Sequence, residues 1–115
     1  MAIKIKSVKE ISGLATSLET VYLAGPVTGI PRKQVERNFN KYRSFYQTRG
    51  FGVISPIDQI DENVTWQEAM KIALTLMMQC DFIFMLPGWE SSLGACMEKE
   101  IADKVGIKLL TILRL

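Results

Sequence analysis

Histidine is absent from the 115 residues, and cysteine occurs only twice. The first absence removes Ser-His and Cys-His nucleophile pairs, histidine zinc sites and imidazole pH switches together. Acid–base chemistry must then fall to carboxylates, lysine, tyrosine or cysteine. Cys80 and Cys96 are too few for a disulfide framework and have apolar neighbours, which reads as two reduced core thiols in a cytoplasmic protein. Long apolar runs are missing too: no segment approaches the ~18 residues of a membrane span. The opening "MAIKIKSVKEISGLATSLET" alternates charged with apolar positions, unlike a signal peptide. Nor is charge of one sign concentrated. The formal net charge is +2, without the dense basic stripe and interleaved aromatics of a nucleic-acid groove. Polymeric nucleic acid and membranes are therefore not expected partners, and the expectation is no metal and no cofactor.

What is present fits one globular domain. Hydrophobic residues make up 48% and charged residues 23%, and a chain of this length buries roughly two-thirds of its unfolded surface. After Thr20 the pattern is regular. "VYLAGP", "FGVISP", "DFIFMLPG" and "IKLLTIL" read as short apolar strands, the first three closed by proline or glycine. Between them lie helical patterns. Val35, Phe39, Tyr42, Phe45 and Tyr46 recur at helical spacing over about 34–49, "TWQEAMKIALTLMMQ" follows Thr65 as a cap, and a third helix starts after Ser92. Strand–helix alternation with uninterrupted apolar strands predicts an α/β fold, a three-layer Rossmann- or flavodoxin-like domain with a mainly parallel sheet of four to five strands. Residues 20–115 form that domain. Residues 1–19 are either an extra edge strand or an N-terminal arm.

Ligands of such folds sit beyond the carboxyl ends of the strands. Three stretches converge there: "AGPVTG" (24–29), "SPIDQIDE" (55–62) and "PGWESSLGA" (87–95). The last runs into a helix with an unusual charge. At 100° per residue, Leu93, Gly94, Met97, Ile101 and Val105 share an arc of about 120° expected to cover the sheet, and Glu98 lies about 50° from its centre. Lys99 and Asp103 point away. A carboxylate turned inward is expensive unless paired, hydrogen-bonded or used. Two readings follow: Glu98 fixes packing through a backbone amide or a tyrosine hydroxyl, or it is a reactive group. Its pKa should be raised by burial unless such donors hold the ionised form. Ser91 and Ser92 either cap the helix or, with Gly94, shape an anion site at its N-terminus. A phosphate at that turn and a carboxylate about one turn inward span a sugar phosphate. A carboxylate reaching an anomeric carbon is the nucleophile of retaining glycosyl chemistry.

Here the sequence resembles a family. "VYLAGPVTG", the "SP" after the second strand, "WQEAM", "CDFIFMLPGWESSLGACMEKEIA" and a closing strand, in that order over roughly 20–112, resemble the small nucleoside 2-deoxyribosyltransferase-like domains, most of all the short DUF4406 group common in phages and bacteria. The wider family includes deoxyribosyltransferases and deoxynucleoside monophosphate N-glycosidases. The resemblance implies a small-molecule nucleoside or nucleotide as partner, with a transferase or hydrolase reaction at the base–sugar bond. Its Ser-x-Gly-x-x-x-Glu pattern falls on Ser92, Gly94 and Glu98, so Glu98 would attack C1′ of a deoxyribose and Ser92 would hold the 5′ end or phosphate. The segment from Tyr22 through Gly25 to Pro26 would line the sugar pocket. Trp89 would face the base, with Glu90 beside it. The resemblance also implies a homodimer or higher homo-oligomer.

One departure stands out. The family's usual aspartate, eight residues before the aspartate of the "CD" dipeptide, falls on Ala73. N-glycosidic cleavage needs the leaving base protonated or otherwise stabilised, and losing a general acid typically costs about 10²–10⁴-fold in rate. The departure therefore keeps a second reading open, a nucleotide or sugar-phosphate binding module of the same fold with impaired catalysis. Asp58, Asp61, Glu62, Glu68 and Glu90 are the substitutes on offer, and spacing selects none of them. Ser55 stands where the family often has asparagine.

Overall fold

The computed structural model describes residues 18–112. Four strands form one parallel sheet: β1 (Thr20–Ala24), β2 (Gly52–Ile54), β3 (Phe82–Met85) and β4 (Lys108–Leu110), in the order β2-β1-β3-β4. Three helices connect them: α1 (Arg32–Gln47), α2 (Trp66–Met77) and α3 (Leu93–Val105). Short 3-10 turns at Pro56–Asp58 and Trp89–Ser91 follow β2 and β3. The arm or edge strand expected over 1–19 falls, apart from its last two residues, outside the described residues.

Alternation along the strands sorts the core into two halves. Val21 and Leu23 of β1 and Phe84 of β3 face α1, packing with Val35, Phe39 and Tyr46. Tyr22 and Ala24 of β1 and Ile83 and Met85 of β3 face the other way, against Ala73 and Met77 of α2 and Ala95 and Ala102 of α3. The expected three layers result. β1 is the most enclosed strand, Val21 through Ala24 having no exposed surface, because it is paired on both edges and covered on both faces.

The helix ends follow their sequences. Thr65 accepts from the Glu68 amide at 3.2 Å while the Glu68 carboxylate accepts from the Thr65 amide at 3.2 Å, a reciprocal cap that fixes where α2 starts. Ser92 Oγ accepts from the Ala95 amide at 3.2 Å and starts α3. Gly106, at φ 84°, ends α3 in the left-handed region that glycine adopts without strain.

The buried face of α3 is not the one its large apolar residues suggest. Leu93 is 68% exposed and Val105 54%, and the residues turned to the sheet are Ala95, Glu98 and Ala102. The two alanines let the helix lie close over β1 and β3, whereas bulky residues at its ends have solvent to point into. Rotated this way, Glu98 sits in the middle of the buried stripe rather than on its flank.

Because β1 leads to β2 on one side and β3 lies on the other, the order reverses between β1 and β3, where open α/β sheets form their crevice. At the top of β1 the backbone passes very close to the segment after β3. A Cβ on Gly25 would lie 2.7 Å from Leu86 Cβ, and the Leu86 amide donates to Ala24 O at 2.7 Å. Gly25→Ala should therefore destabilise the protein by about 1–3 kcal/mol, read from the urea midpoint at unchanged slope.

Candidate functional site

Beyond the carboxyl ends of β1, β2 and β3 opens a cavity of about 630 Å³. β1 and its loop supply Tyr22, Gly25, Pro26, Val27, Thr28 and Ile30, and α1 supplies Arg32 and Phe39. The turn after β2 gives Pro56, Ile57 and Ile60, and α2 gives Trp66, Ala69, Met70 and Ala73. Ser91 to Ala95 and Glu98 complete the wall from the α3 side. The wall is largely apolar with a few polar groups, the usual make-up of a small-molecule site.

Glu98 is 5% exposed and Tyr22 not at all. The Tyr22 hydroxyl donates to Glu98 Oε2 in a short hydrogen bond. Burial pushes the Glu98 carboxyl up to about 7, against the opposing pull of the Tyr22 hydrogen bond. Burial, reinforced by the Glu98 charge and that same bond, drives the tyrosine far above its ordinary range, so Tyr22 stays protonated and serves as the donor. The carboxyl group thus changes charge near neutral pH, where a nucleophile or general base is most responsive.

The α3 N-terminus forms another part of the wall. Ser91 Oγ donates to Gly88 O at 2.8 Å, and Gly88 takes φ 86° to make the corner. The first-turn amides of α3 lack intrahelical partners by construction. A Cβ on Gly94 would meet Met70 Sδ at 3.0 Å, so the absent side chain also lets α2 and α3 approach behind the wall.

Of the expected site residues, Tyr22, Gly25, Pro26, Ser92, Gly94 and Glu98 all line this cavity. Trp89 and Glu90 do not. They line a separate groove of about 680 Å³ with Lys41, Tyr42, Phe45 and Leu110, and Trp89 also packs against the core cluster that contains Tyr22 and Ala24. Trp89, expected to face the base, and Glu90 beside it thus border this second groove and not the cavity that holds Glu98. Ala73 does line the cavity, together with Met70 and Trp66. None of the substitutes Asp58, Asp61, Glu62, Glu68 and Glu90 belongs to its wall. Asp58 pairs with Arg43, and Glu68 is engaged in the α2 cap. Arg32 is the residue the sequence left unmarked. Its Nη2 donates to Ile57 O at 2.5 Å and Ile60 O at 3.3 Å, which holds a cation in the wall. Its position directly after the Gly-Ile-Pro turn was the signal available.

The family model "Domain of unknown function (DUF4406)" matches residues 19–111. The chain belongs to the DUF4406 family. Among solved structures, a 2-desoxiribosyltransferase from Leishmania mexicana is similar at a TM-score of 0.63 and 23% identity, covering 82% of this chain and 63% of that one. The DUF4406 chain thus spans less than two-thirds of that relative, and the likeness is one of fold: a Rossmann-like, nucleoside 2-deoxyribosyltransferase-like domain. No curated protein matches the chain. Among the described residues no helix is long and apolar enough to cross a membrane, and no group of three His, Cys, Asp or Glu is placed to hold a metal ion.

The high Glu98 pKa carries a stability consequence. The unfolded carboxyl ionises near 4.5 and the folded one near 7, so between those values the folded state binds more protons and stability falls as pH rises. Glu98→Gln can still accept from Tyr22 and removes that loss. The variant should match the wild type near pH 4 and exceed it above pH 7 by on the order of 3 kcal/mol, measured by urea unfolding across the range.

Proposed function

We propose that this DUF4406 protein acts on the base–sugar bond of a nucleoside or nucleotide, as an N-glycosidase or 2-deoxyribosyltransferase, with Glu98 as nucleophile. The single observation that carries the reading is the buried Glu98 carboxyl, hydrogen-bonded to Tyr22 in the wall of a cavity large enough for a nucleotide. A carboxylate there attacks C1′ as the bond to the base breaks, and water or a second base then releases the sugar from Glu98. Tyr22 keeps one carboxylate oxygen occupied and orients the other. Ser92, Gly94 and the α3 N-terminus receive the 5′ hydroxyl or phosphate. Gly25 and Pro26 border the sugar. The proposal includes the homodimer or larger assembly implied by the family, with half-buried Tyr42 and Phe45 on α1 as the surface to probe by sedimentation.

A second reading, a binding module that does not turn its ligand over, is favoured by Ala73 alone: among the described residues the cavity has no carboxylate besides Glu98. Incubation with a panel of deoxynucleosides and their 5′-monophosphates separates the two. Catalysis predicts free base, detected by chromatography, and its loss in Glu98→Ala. A module gives no base, yet a nucleotide raises the melting temperature by mass action.

The ionised form of Glu98 is the reactive one, so base release should increase as pH rises through about 7 and vanish in acid. Tyr22→Phe removes the hydrogen bond that holds the Glu98 pKa down. Its pH–rate midpoint should move to higher pH, and an unchanged midpoint would separate Tyr22 from the nucleophile.

A further inference from the structure

We propose that Arg32 stabilises the departing base in place of the carboxylic acid absent at position 73, and that the site therefore prefers bases able to leave as anions. This rests on the glycosyl reading above. Among the described residues, only two of the cavity wall carry formal charge, Glu98 and Arg32. The remaining acids of the neighbouring loops are not in the wall; besides Asp58 and Glu68, Asp61 Oδ1 accepts from the Asn63 amide at 2.9 Å.

Arg32 is held for such a role. Its Nη2 is spent on the Ile57 and Ile60 carbonyls, and its Nε lies 3.6 Å from Glu36. A guanidinium carries five N–H donors, so Nη1 retains two. Strand order sets which part of a ligand these donors meet. Ile57 and Ile60 follow β2, on one flank of β1, whereas Ser92 and Gly94 follow β3, on the other flank. Glu98 reaches Tyr22 of β1 between them. A nucleotide with C1′ at Glu98 and its 5′ end on the α3 turn directs its base toward Arg32.

A guanidinium does not deprotonate in proteins and so gives no proton to the base. It does hold negative charge, and in a largely apolar cavity that interaction is stronger than in bulk water. Glu98 Oε1 bonds to C1′, the C1′–N bond breaks, and its electron pair stays on the base, delocalised onto a carbonyl oxygen facing Arg32. Water then attacks C1′, the ester bond to Glu98 breaks, and the proton released ends on the free base. The balance is substrate plus water to free base plus sugar, with Glu98 regenerated. Oxopyrimidines and oxopurines with acidic N–H groups satisfy this chemistry. Adenine, which leaves well only when protonated, does not.

The test uses 2′-deoxyuridine, its 5-fluoro and 5-bromo analogues and 2′-deoxyadenosine, each with and without a 5′-phosphate, on wild type, Arg32→Gln and Arg32→Lys. Wild type should release the halogenated uracils faster than uracil, and adenine slowest. Arg32→Gln should lower kcat by roughly 10²- to 10³-fold and steepen the dependence on leaving-group acidity, with Arg32→Lys between. Calorimetric binding of free 5-fluorouracil should weaken about tenfold in Arg32→Gln, a readout independent of turnover. Thermal melting checks that the variants fold, and Arg32→Lys carries the test if Arg32→Gln does not. Uracil release at the wild-type rate by the folded variant, or adenine released faster than uracil by wild type, overturns the role of Arg32 and leaves Glu98 standing. No base released by wild type from any of these substrates overturns both.

Discussion

The short hydrogen bond between Tyr22 and Glu98 is the contact on which the site depends. It joins the most enclosed strand to the last helix, and its two residues lie 76 positions apart in sequence. A buried carboxyl without a partner would be driven almost wholly to its neutral form. The tyrosine limits that shift, so the group titrates near neutrality. The same bond leaves one carboxylate oxygen for other work. The contact that packs α3 onto β1 is thus also the one that places Glu98 in the cavity wall. Glu98 is locked by packing, and it faces a cavity.

The surroundings of that pair follow from small residues. Ala95 and Ala102 bring α3 down onto the sheet, and Gly94 gives Met70 room. Gly25 lets the top of β1 pass against Leu86. Each missing side chain narrows a gap between elements, and together they leave the open space above β1 rather than between layers. The reciprocal cap of Thr65 and Glu68 then sets Trp66 at the first turn of α2, at the edge of that space.

Much of this was legible in the residues alone. Apolar strand runs separated by helical periodicity gave the parallel, three-layer arrangement, since both signals depend on local spacing. Tyr22, Pro26, Ser92 and Glu98 could be assigned to one place because strand ends converge in any such sheet. Three details were hidden for a physical reason. The rotation of α3 is set by how closely a helix can approach, which favours alanine over the bulkier Leu93 and Val105 that a hydrophobic wheel weights most. The direction taken by Trp89 and Glu90 depends on a 3-10 turn beginning at a left-handed glycine, and a change of a few residues in such a turn redirects a side chain entirely. Arg32 escaped notice because its position is defined by carbonyls 25 and 28 residues away, contacts that leave no pattern along the chain.

Ala73 lines the cavity with a methyl group, so the wall carries no acid at that position. Every alanine codon is one middle-base change from an aspartate or a glutamate codon, so a wall with a methyl group and a wall with a second carboxyl are immediate neighbours in the genetic code. A single transversion is enough to move between a pocket whose second charged group is a guanidinium and one that holds two carboxyls. One base at codon 73 therefore decides whether the wall holds a second carboxyl beside Glu98.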